Sequence, residues 1–452
     1  MNARPSLICP RVVLLGRMRA GLASSVVPHF PLAFHDALCP MHRLSAVLAV
    51  LLVAALAVDV QAQNPRRTER AFVSSPAALG MGDVGVARPF ATSSFFYNPA
   101  HVSQTESTTR VLGMQGAASN QIRDQARFYN DRLSPAIDEG LNTLEIDRLS
   151  SLYSDALSVT ATPSQGRVGV LLPALTRQVS DIVGVGGGLF AQSNASASFR
   201  NSGLGVPQVA LISRSDLIGV ASVGATVPGT GLSLGTTVKY TRRYLSYKDK
   251  PLDTFSSDER VVLLKGTNVG VDVGATYTLP FLPLPGDVTI GMSVYDLLHT
   301  GYGYEVSGTA SNTPLIGGAF PDSQPLTERQ VQFQKQRAQN RFSLARSYRI
   351  GASYILDNVG PLGELAVAAD YVGYGNPEID QSFLAQMNLG ARANLTQFLA
   401  VRGGFSQGYP SAGLGLNLWI FHLDYALHAF EEGRAPGQLQ NYIHTAQFSF
   451  QW

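Results

Sequence analysis

His422, Asp424 and His428 are spaced so that one face of a single extended strand would carry all three, and an imidazole beside a carboxylate is the usual start of a hydrolytic site. The rest of such machinery is missing from the sequence. No GxSxG elbow presents a serine nucleophile, and no HExxH or other histidine pair has metal-ligand spacing. Both cysteines, Cys9 and Cys39, lie in the first 40 residues, which excludes cysteine-based metal sites from the remainder. Gly80, Gly82 and Gly85 form a glycine-rich stretch, but no GK[ST] follows it and no strand-to-helix context surrounds it, so it is not a phosphate loop. The chain therefore reads as a non-enzyme with no cofactor and no metal. Polar residues on one strand face are the ordinary lining of a wet interior.

Composition narrows the classes further. The 452 residues carry a formal net charge of +2, with Lys and Arg scattered rather than blocked, so nucleic acid is not an expected partner. Forty-four Gly and thirty-eight Tyr plus Phe suit tightly turned, aromatic-decorated strands better than helical bundles. Residues 41–62, MHRLSAVLAVLLVAALAVDVQA, place His42 and Arg43 before a short apolar run and end in Val60-Gln61-Ala62. That order predicts a secretory signal peptide, with a mature chain from Gln63. Residues 1–40 hold Pro5, Pro10, Pro28 and Pro31 without helical period and read as a disordered or overextended start, with Met41 the expected true one. No apolar run of 18 or more residues follows residue 62, so a membrane could be crossed only by strands.

The elements that would position these residues show the strand period of two. From Leu232 to Arg243 one face carries Leu232, Leu234, Thr236, Val238 and Tyr240; the other carries Ser233, Gly235, Thr237, Lys239, Thr241 and Arg243. Val269–Leu279, Leu365–Tyr371, Met387–Leu395 and Leu399–Phe405 alternate in the same way. The polar faces are rich in Gly, Ser and Thr with isolated charges, Lys239, Arg243, Asp272, Asp370, Arg392, Arg402 and Asp424, as expected of residues facing a barrel lumen while the apolar face meets lipid. Connections alternate short and long when counted back from the C-terminus: near Trp419, Thr396-Gln397, 357–361, 280–286 and 228–230 short; 431–441, 374–384, 299–344 and 244–260 long; Pro410 moderate. That parity predicts an all-β fold: one antiparallel transmembrane barrel of about 14 strands, with 16 the other even count allowed. Two stretches fall outside the pattern. Leucines at helical spacing over 132–157 predict a short amphipathic helical insert, and the polar 327–340 stretch belongs to the long external loop 299–344.

Two ends of the chain carry motifs. It finishes FSFQW, with Phe448, Phe450 and Trp452 on one face, which resembles the signal by which the barrel-assembly machinery recognises outer-membrane barrels. Near the other end, ALGMGDVGVA (78–87), including Gly80, Met81, Gly82 and Gly85, precedes Tyr97-Asn98-Pro99-Ala100. Proline holds Asn98 extended and leaves its side chain free to bond neighbouring backbone. These segments, with GVDVGATYTLP, VTIGMSVYDL and residues 387–432, resemble the PorV/PorQ-type, TraF-like branch of the FadL-like outer-membrane barrels over most of the mature chain. The resemblance implies a 14-stranded barrel in the bacterial outer membrane, with residues 63–106 as a plug inside the barrel of 107–452. It implies passive transport of hydrophobic or amphipathic small molecules through a pocket or lateral opening. Phe90, Phe95, Phe96 and Tyr97 are the candidate pocket, with plug-to-wall packing the other reading. The alternative function is an accessory to type IX secretion that handles exported proteins at the loop 300–340; a purely structural protein is the third.

Overall fold

The computed structural model describes residues 73–140, 143–159, 162–201, 207–252, 260–279, 285–298, 300–311, 327–342, 346–357, 359–360, 363–375, 381–431 and 435–452. The expected signal peptide, the residues before it and residues 63–72 lie outside them. Fifteen strands are described: β1 Thr108–Ser119, β2 Ser164–Gln178, β3 Val183–Asn201, β4 Pro207–Thr226, β5 Leu232–Pro251, β6 Arg260–Thr278, β7 Asp287–Tyr295, β8 Gly303–Ser311, β9 Ser347–Asp357, β10 Glu364–Tyr374, β11 Met387–Asn394, β12 Leu399–Ser406, β13 Tyr409–Leu418, β14 Phe421–Glu431 and β15 Gln440–Gln451. Every pairing is antiparallel. The β1–β15 and β5–β6 pairings close fourteen of the strands into a ring, and β8 pairs only with the far half of β6.

Side-chain direction around this ring follows the period of two. Leu189, Leu217, Leu234, Val238, Tyr240, Ile290, Met292, Leu389, Phe405 and Leu414 point outward and are exposed, while Ser222, Thr237, Lys239, Thr241, Asp272, Ser293, Ser353, Asn388 and Arg402 point inward and are buried. Closure leaves no edge in the ring, so its backbone groups are satisfied strand to strand whatever solvent surrounds it. Phe448 and Phe450 at the end of β15 pack on Phe421 at ring distances of 5.8 and 4.4 Å, and Trp452 exchanges backbone hydrogen bonds with Thr109.

Connections at the end shared by Thr108 and Trp452 are short: 179–182, 227–231, 279–286, 358–363, 395–398 and 419–420. The opposite end carries the long ones, with one correction to the expected parity. The connection at Pro410 is a two-residue turn, Gln407-Gly408, both at positive φ (55° and 86°), a geometry that matches strand twist, and Pro410 itself is the second residue of β13. The first part of the expected 244–260 connection is also strand, since β5 runs on to Pro251.

The wall is lopsided. β3 to β6 have 19 or 20 residues each, whereas β9 to β13 have 8 to 11. At about 3.3 Å per residue and a tilt near 40°, the short side is roughly 20–28 Å tall and the long side roughly 50 Å. The excess projects at the long-loop end and carries the helices. The insert after β1 starts earlier than the leucine spacing suggests: α1 Gln121–Phe128 runs through a π turn at Tyr129–Leu133 into α2 Ser134–Glu139, and α3 Ile146–Val159 follows. Phe128 is the only large buried apolar residue of α1, too sparse a pattern to read. Phe128, Leu133, Leu152 and Ala156 cluster with Val209 and Leu211, which share the outward face of β4 with Leu217. Sequence could not decide between lumen and exterior for this insert; the structure places it against the outside of the projecting wall.

The expected loop 299–344 contains β8 and a helix, α4 Glu328–Arg341, begun by a Thr327/Gln330 capping box. Ala338 and Phe342 pack against Leu245, Tyr247 and Leu264, which continue the inward face of β5 and β6. Gln334 accepts a hydrogen bond from Tyr247 Oη at 2.7 Å. The polar 327–340 stretch is therefore a helix held to the inner face of the wall at the lumen mouth.

Candidate functional site

Residues 73–107 touch nearly every strand of the ring, which a segment can do only from inside it. Asn98, Pro99 and Ala100 lie against β4, β5 and β6, and Val102 and Ser103 against β3; Val86 lies against β7 and β9, Met81 and Gly82 against β11 and β12, and Gly80 against β13. Gln115 of β1 donates to Ser74 O at 2.8 Å. The chain thus makes one circuit of the lumen before entering β1.

Glycines on the inward face admit it. Gly184, Gly224, Gly235 and Gly274 stand opposite one another in direct register across β3 to β6, Gly291 faces Gly351 across β7 and β9, and Gly390 faces Gly404 across β11 and β12. A Cβ at Gly184, Gly224, Gly235, Gly291, Gly390 or Gly404 would meet backbone atoms of residues 81–103 rather than a movable side chain, and one at Gly274 would strike Asn98. The approach is backbone to backbone and needs hydrogen at those positions. Gly80, Gly82 and Gly85 stand out in the sequence, but nothing there connects them with glycines in other strands. The signal is an inward-parity glycine in strand after strand.

Polar contacts fix the circuit. Asn98, fully buried, donates from Nδ2 to Val86 O (2.7 Å), Ala275 O (3.0 Å) and Met292 O (3.3 Å), and its Oδ1 accepts from Ala100 N (3.0 Å). One amide therefore joins two parts of the segment to β6 and β7. Asp370 Oδ2 accepts the backbone N–H groups of Gly85 (2.7 Å) and Val86 (3.0 Å). Arg349 donates to Asp83 O at 2.6 Å and to the Asp83 carboxylate, and Arg88 pairs with Glu364. Of these, only Asn98 and Asp370 stood out in the sequence; Asp83, Arg88, Arg349 and Glu364 become partners through topology.

Phe90, Phe95, Phe96 and Tyr97 form the apolar part. Phe95 and Phe96 are 5.0 Å apart by ring centroid and lie 6.0 and 4.9 Å from Phe190 of β3, with Leu171, Ala174, Ile218 and Val220 of the wall around them. Phe95 and Tyr97 are 0% exposed and Phe96 1%, so these rings are engaged in packing between segment and wall. The wall beside them is irregular. The β1–β15 register shifts between Arg110 and Leu112, and the β2–β3 register shifts between Leu171 and Ala174.

The other inward charges are mostly paired. Lys239 Nζ lies 2.8 Å from Asp272 and 3.4 Å from Asp296; Arg243 lies 2.7 Å from Asp216; Arg402 lies 2.7 Å from Asp424. Arg392 donates to Asn394 Oδ1 at 2.9 Å. His422 and His428 are not drawn together with Asp424. His422 Nδ1 contacts Asn417 Oδ1 at 3.0 Å and His428 Nε2 contacts Thr445 Oγ1 at 3.1 Å, while Asp424 serves Arg402.

His101, fully buried in the segment, supplies a pH dependence. Its Nε2 lies 3.2 Å from Gly85 O and its Nδ1 3.3 Å from Gln104 Oε1, yet burial outweighs both contacts and lowers its pKa from 6.5 to about 4. The seated segment therefore holds a neutral imidazole where a released one would be protonated. Above pH 6.5 neither state is charged and the effect vanishes. As pH falls from 6.5 towards 4, only the released state gains a proton, so seating weakens by about 1.4 kcal/mol per pH unit and levels off below 4. Protease sensitivity of residues 73–107, measured from pH 7.5 to 4.5, is expected to rise in this window. His101→Gln should flatten the profile.

No protein-family model matches the chain, and no curated protein sequence matches it. Among solved structures it is similar over 83% of its length to 97% of the Ralstonia pickettii toluene transporter TbuX, at 13% identity and a TM-score of 0.43. It is similar over 83% of its length to 98% of a Pseudomonas aeruginosa FadL homologue, at 13% identity and TM-score 0.42. The Pseudomonas putida toluene transporter TodX matches 85% of this chain with 98% of its own, at 10% identity and TM-score 0.43.

Proposed function

We propose that this chain is a bacterial outer-membrane barrel of the FadL-like, PorV/PorQ-related kind that passes hydrophobic or amphipathic small molecules, with residues 73–107 as its plug. The observation that carries the reading is a closed ring with exposed Leu, Val, Ile, Met and Phe outside, polar residues inside, and its own N-terminal segment seated across the lumen. An apolar surface that encircles the molecule exceeds what water tolerates on a monomer and suits hydrocarbon. Phe95 and Phe96, in one apolar cluster with Phe90 and Tyr97, meet Phe190 next to the irregular registers of β1 and β2, so an apolar molecule displacing these two rings would lie beside the wall at its least regular point. From there, sideways movement into lipid is downhill for an apolar solute. Lipid is the standing partner, and Phe448, Phe450 and Trp452 are the residues offered to the barrel-assembly machinery.

Liposomes containing the full chain should take up a naphthalene-class fluorescent probe faster than empty ones while excluding sugars. A variant lacking residues 63–100 should admit sugars as well, read as liposome swelling. Equal probe uptake with and without the protein rejects the transport reading, and unchanged swelling of the truncated variant rejects the plug.

The projecting wall favours a second reading, an accessory role in protein secretion. Among the described residues the second edge of β8 pairs with no strand, and such an edge can accept an extended segment of a passing protein. Surface crosslinking followed by pull-down should then recover exported proteins. Recovery of lipid-like molecules alone rejects it.

A further inference from the structure

Arg110 of β1 stands apart from most inward cations. Arg88, Lys239, Arg243, Arg349 and Arg402 each have a carboxylate within ion-pair distance. Arg110 has none among the described residues, although it is only 1% exposed. Its Nη1 donates to Thr92 Oγ1 at 3.0 Å, and its guanidinium carbon lies 5.0 Å from the centroid of the Phe190 ring. Nε and Nη2 have no hydrogen-bond partner. Those two atoms share one edge of the planar guanidinium, and their N–H bonds point the same way, the fork that binds an anion through two parallel hydrogen bonds. Arg167 and Arg392 also lack a carboxylate at ion-pair distance among the described residues, but both are half-buried and each is hydrogen-bonded to an asparagine.

A buried cation with no counter-charge is among the costliest arrangements in a protein interior, and the usual remedies are a carboxylate, an anion or a shifted proton. Arginine does not release its proton at ordinary pH. The surroundings define what could fit. In register, Arg110 faces Gln451 of β15 on one side and Ala174 of β2 on the other, and Ala174 faces Gly188, so the side chains on the β2 and β3 side are small. Phe95, Phe96, Phe190 and Leu171 are 0 to 2% exposed and packed in one cluster, so an attached hydrocarbon tail would have to displace them. A single guanidinium balances one negative charge and not two.

We propose that Arg110 binds a small monovalent anion, of the chloride or formate type, on its Nε–Nη2 edge, and that this ion ties the Thr92 region of the N-terminal segment to the wall. Nothing in it depends on what the barrel transports. With Arg110 holding Thr92 through Nη1 and the anion through the opposite edge, the ion neutralises the charge that otherwise opposes burying this face.

The full chain, refolded in detergent, is titrated with sodium chloride, bromide, formate, octanoate or sulfate at matched ionic strength, and the thermal midpoint is read from heat-modifiable electrophoretic mobility. Chloride, bromide and formate are expected to raise the midpoint saturably, and sulfate to leave it unmoved. Arg110→Met should abolish the response, whereas Arg167→Gln should keep it. Because Arg110→Met alters a buried site and could fail to fold, bromide-soaked crystals of the unaltered protein give the second measurement. An anomalous peak within hydrogen-bonding reach of Arg110 Nε and Nη2 supports the site; ordinary water density there, an equal response to sulfate, or a response retained in Arg110→Met overturns it. Octanoate binding more tightly than formate also overturns it, since the anion would then be the headgroup of a larger molecule.

Discussion

Valine in place of Gly235 is expected to leave the barrel folded and to unseat the N-terminal segment. A Cβ at this position would overlap the Pro99 carbonyl and the Ala100 nitrogen, which are backbone atoms that no rotamer change can move aside. Overpacking of this kind costs about 1–3 kcal/mol or more when backbone must shift. The strand itself should not suffer, because β-branched residues suit an extended, half-buried backbone. The cost therefore falls on seating. Liposome swelling should increase, and limited proteolysis should cut residues 73–107 while the ring survives. Gly219→Val is the control. Its Cβ would meet only Leu189 Cδ2, at 3.5 Å, on the outward face, and should change neither measurement. A segment still protected in Gly235→Val would mean that the in-register glycines are not what admits it.

Asp370→Ala should have the larger effect. The substitution strands the backbone N–H groups of Gly85 and Val86, both bonded to Asp370 Oδ2, and removes a carboxylate 3.6 Å from Arg349. Arg349 keeps Asp83, so its charge is not left bare. With that charge still paired, the cost falls mainly on the two stranded donors, each about 1–3 kcal/mol. The ratio of seated to released segment should accordingly fall on the order of 10²-fold to 10³-fold. Asp370→Asn retains one carbonyl acceptor and should lose less. Hydrogen exchange at the Gly85 and Val86 amides is the direct readout: exchange in Asp370→Ala should approach that of an unprotected chain, and wild-type protection there would show that the carboxylate does not hold the segment.

Asp370 illustrates how far sequence reading reaches. Its parity within Leu365–Tyr371 assigns it to the polar face, because successive strand side chains alternate and the assignment needs no knowledge of any other strand. Its partners cannot be read the same way. Gly85 lies 285 residues away in the chain, and the contact exists only because β10 and the segment meet in a closed ring. Asn98 behaves similarly. Proline after it predicts an extended residue with a free amide, but the carbonyls of Ala275 and Met292 are supplied by strands whose neighbours are fixed by closure. Pro410 misled because a proline suggested a loop. The turn was made instead by Gln407-Gly408, and Pro410 took the second position of a strand.

The sequence by itself determined which face of each strand is apolar, that the connections alternate in length, and therefore that the strands must curl into a closed antiparallel ring. Those properties are local or additive along the chain. Only the tertiary structure decided that Gly184, Gly224, Gly235 and Gly274 fall in one row, that residues 73–107 run a full circuit against such rows, and that Arg110 is buried with no carboxylate at ion-pair distance among the described residues. Register between strands is set by closure and by what fills the lumen. A glycine or an arginine acquires its role there from residues hundreds of positions away, and alternation within one strand carries no record of them.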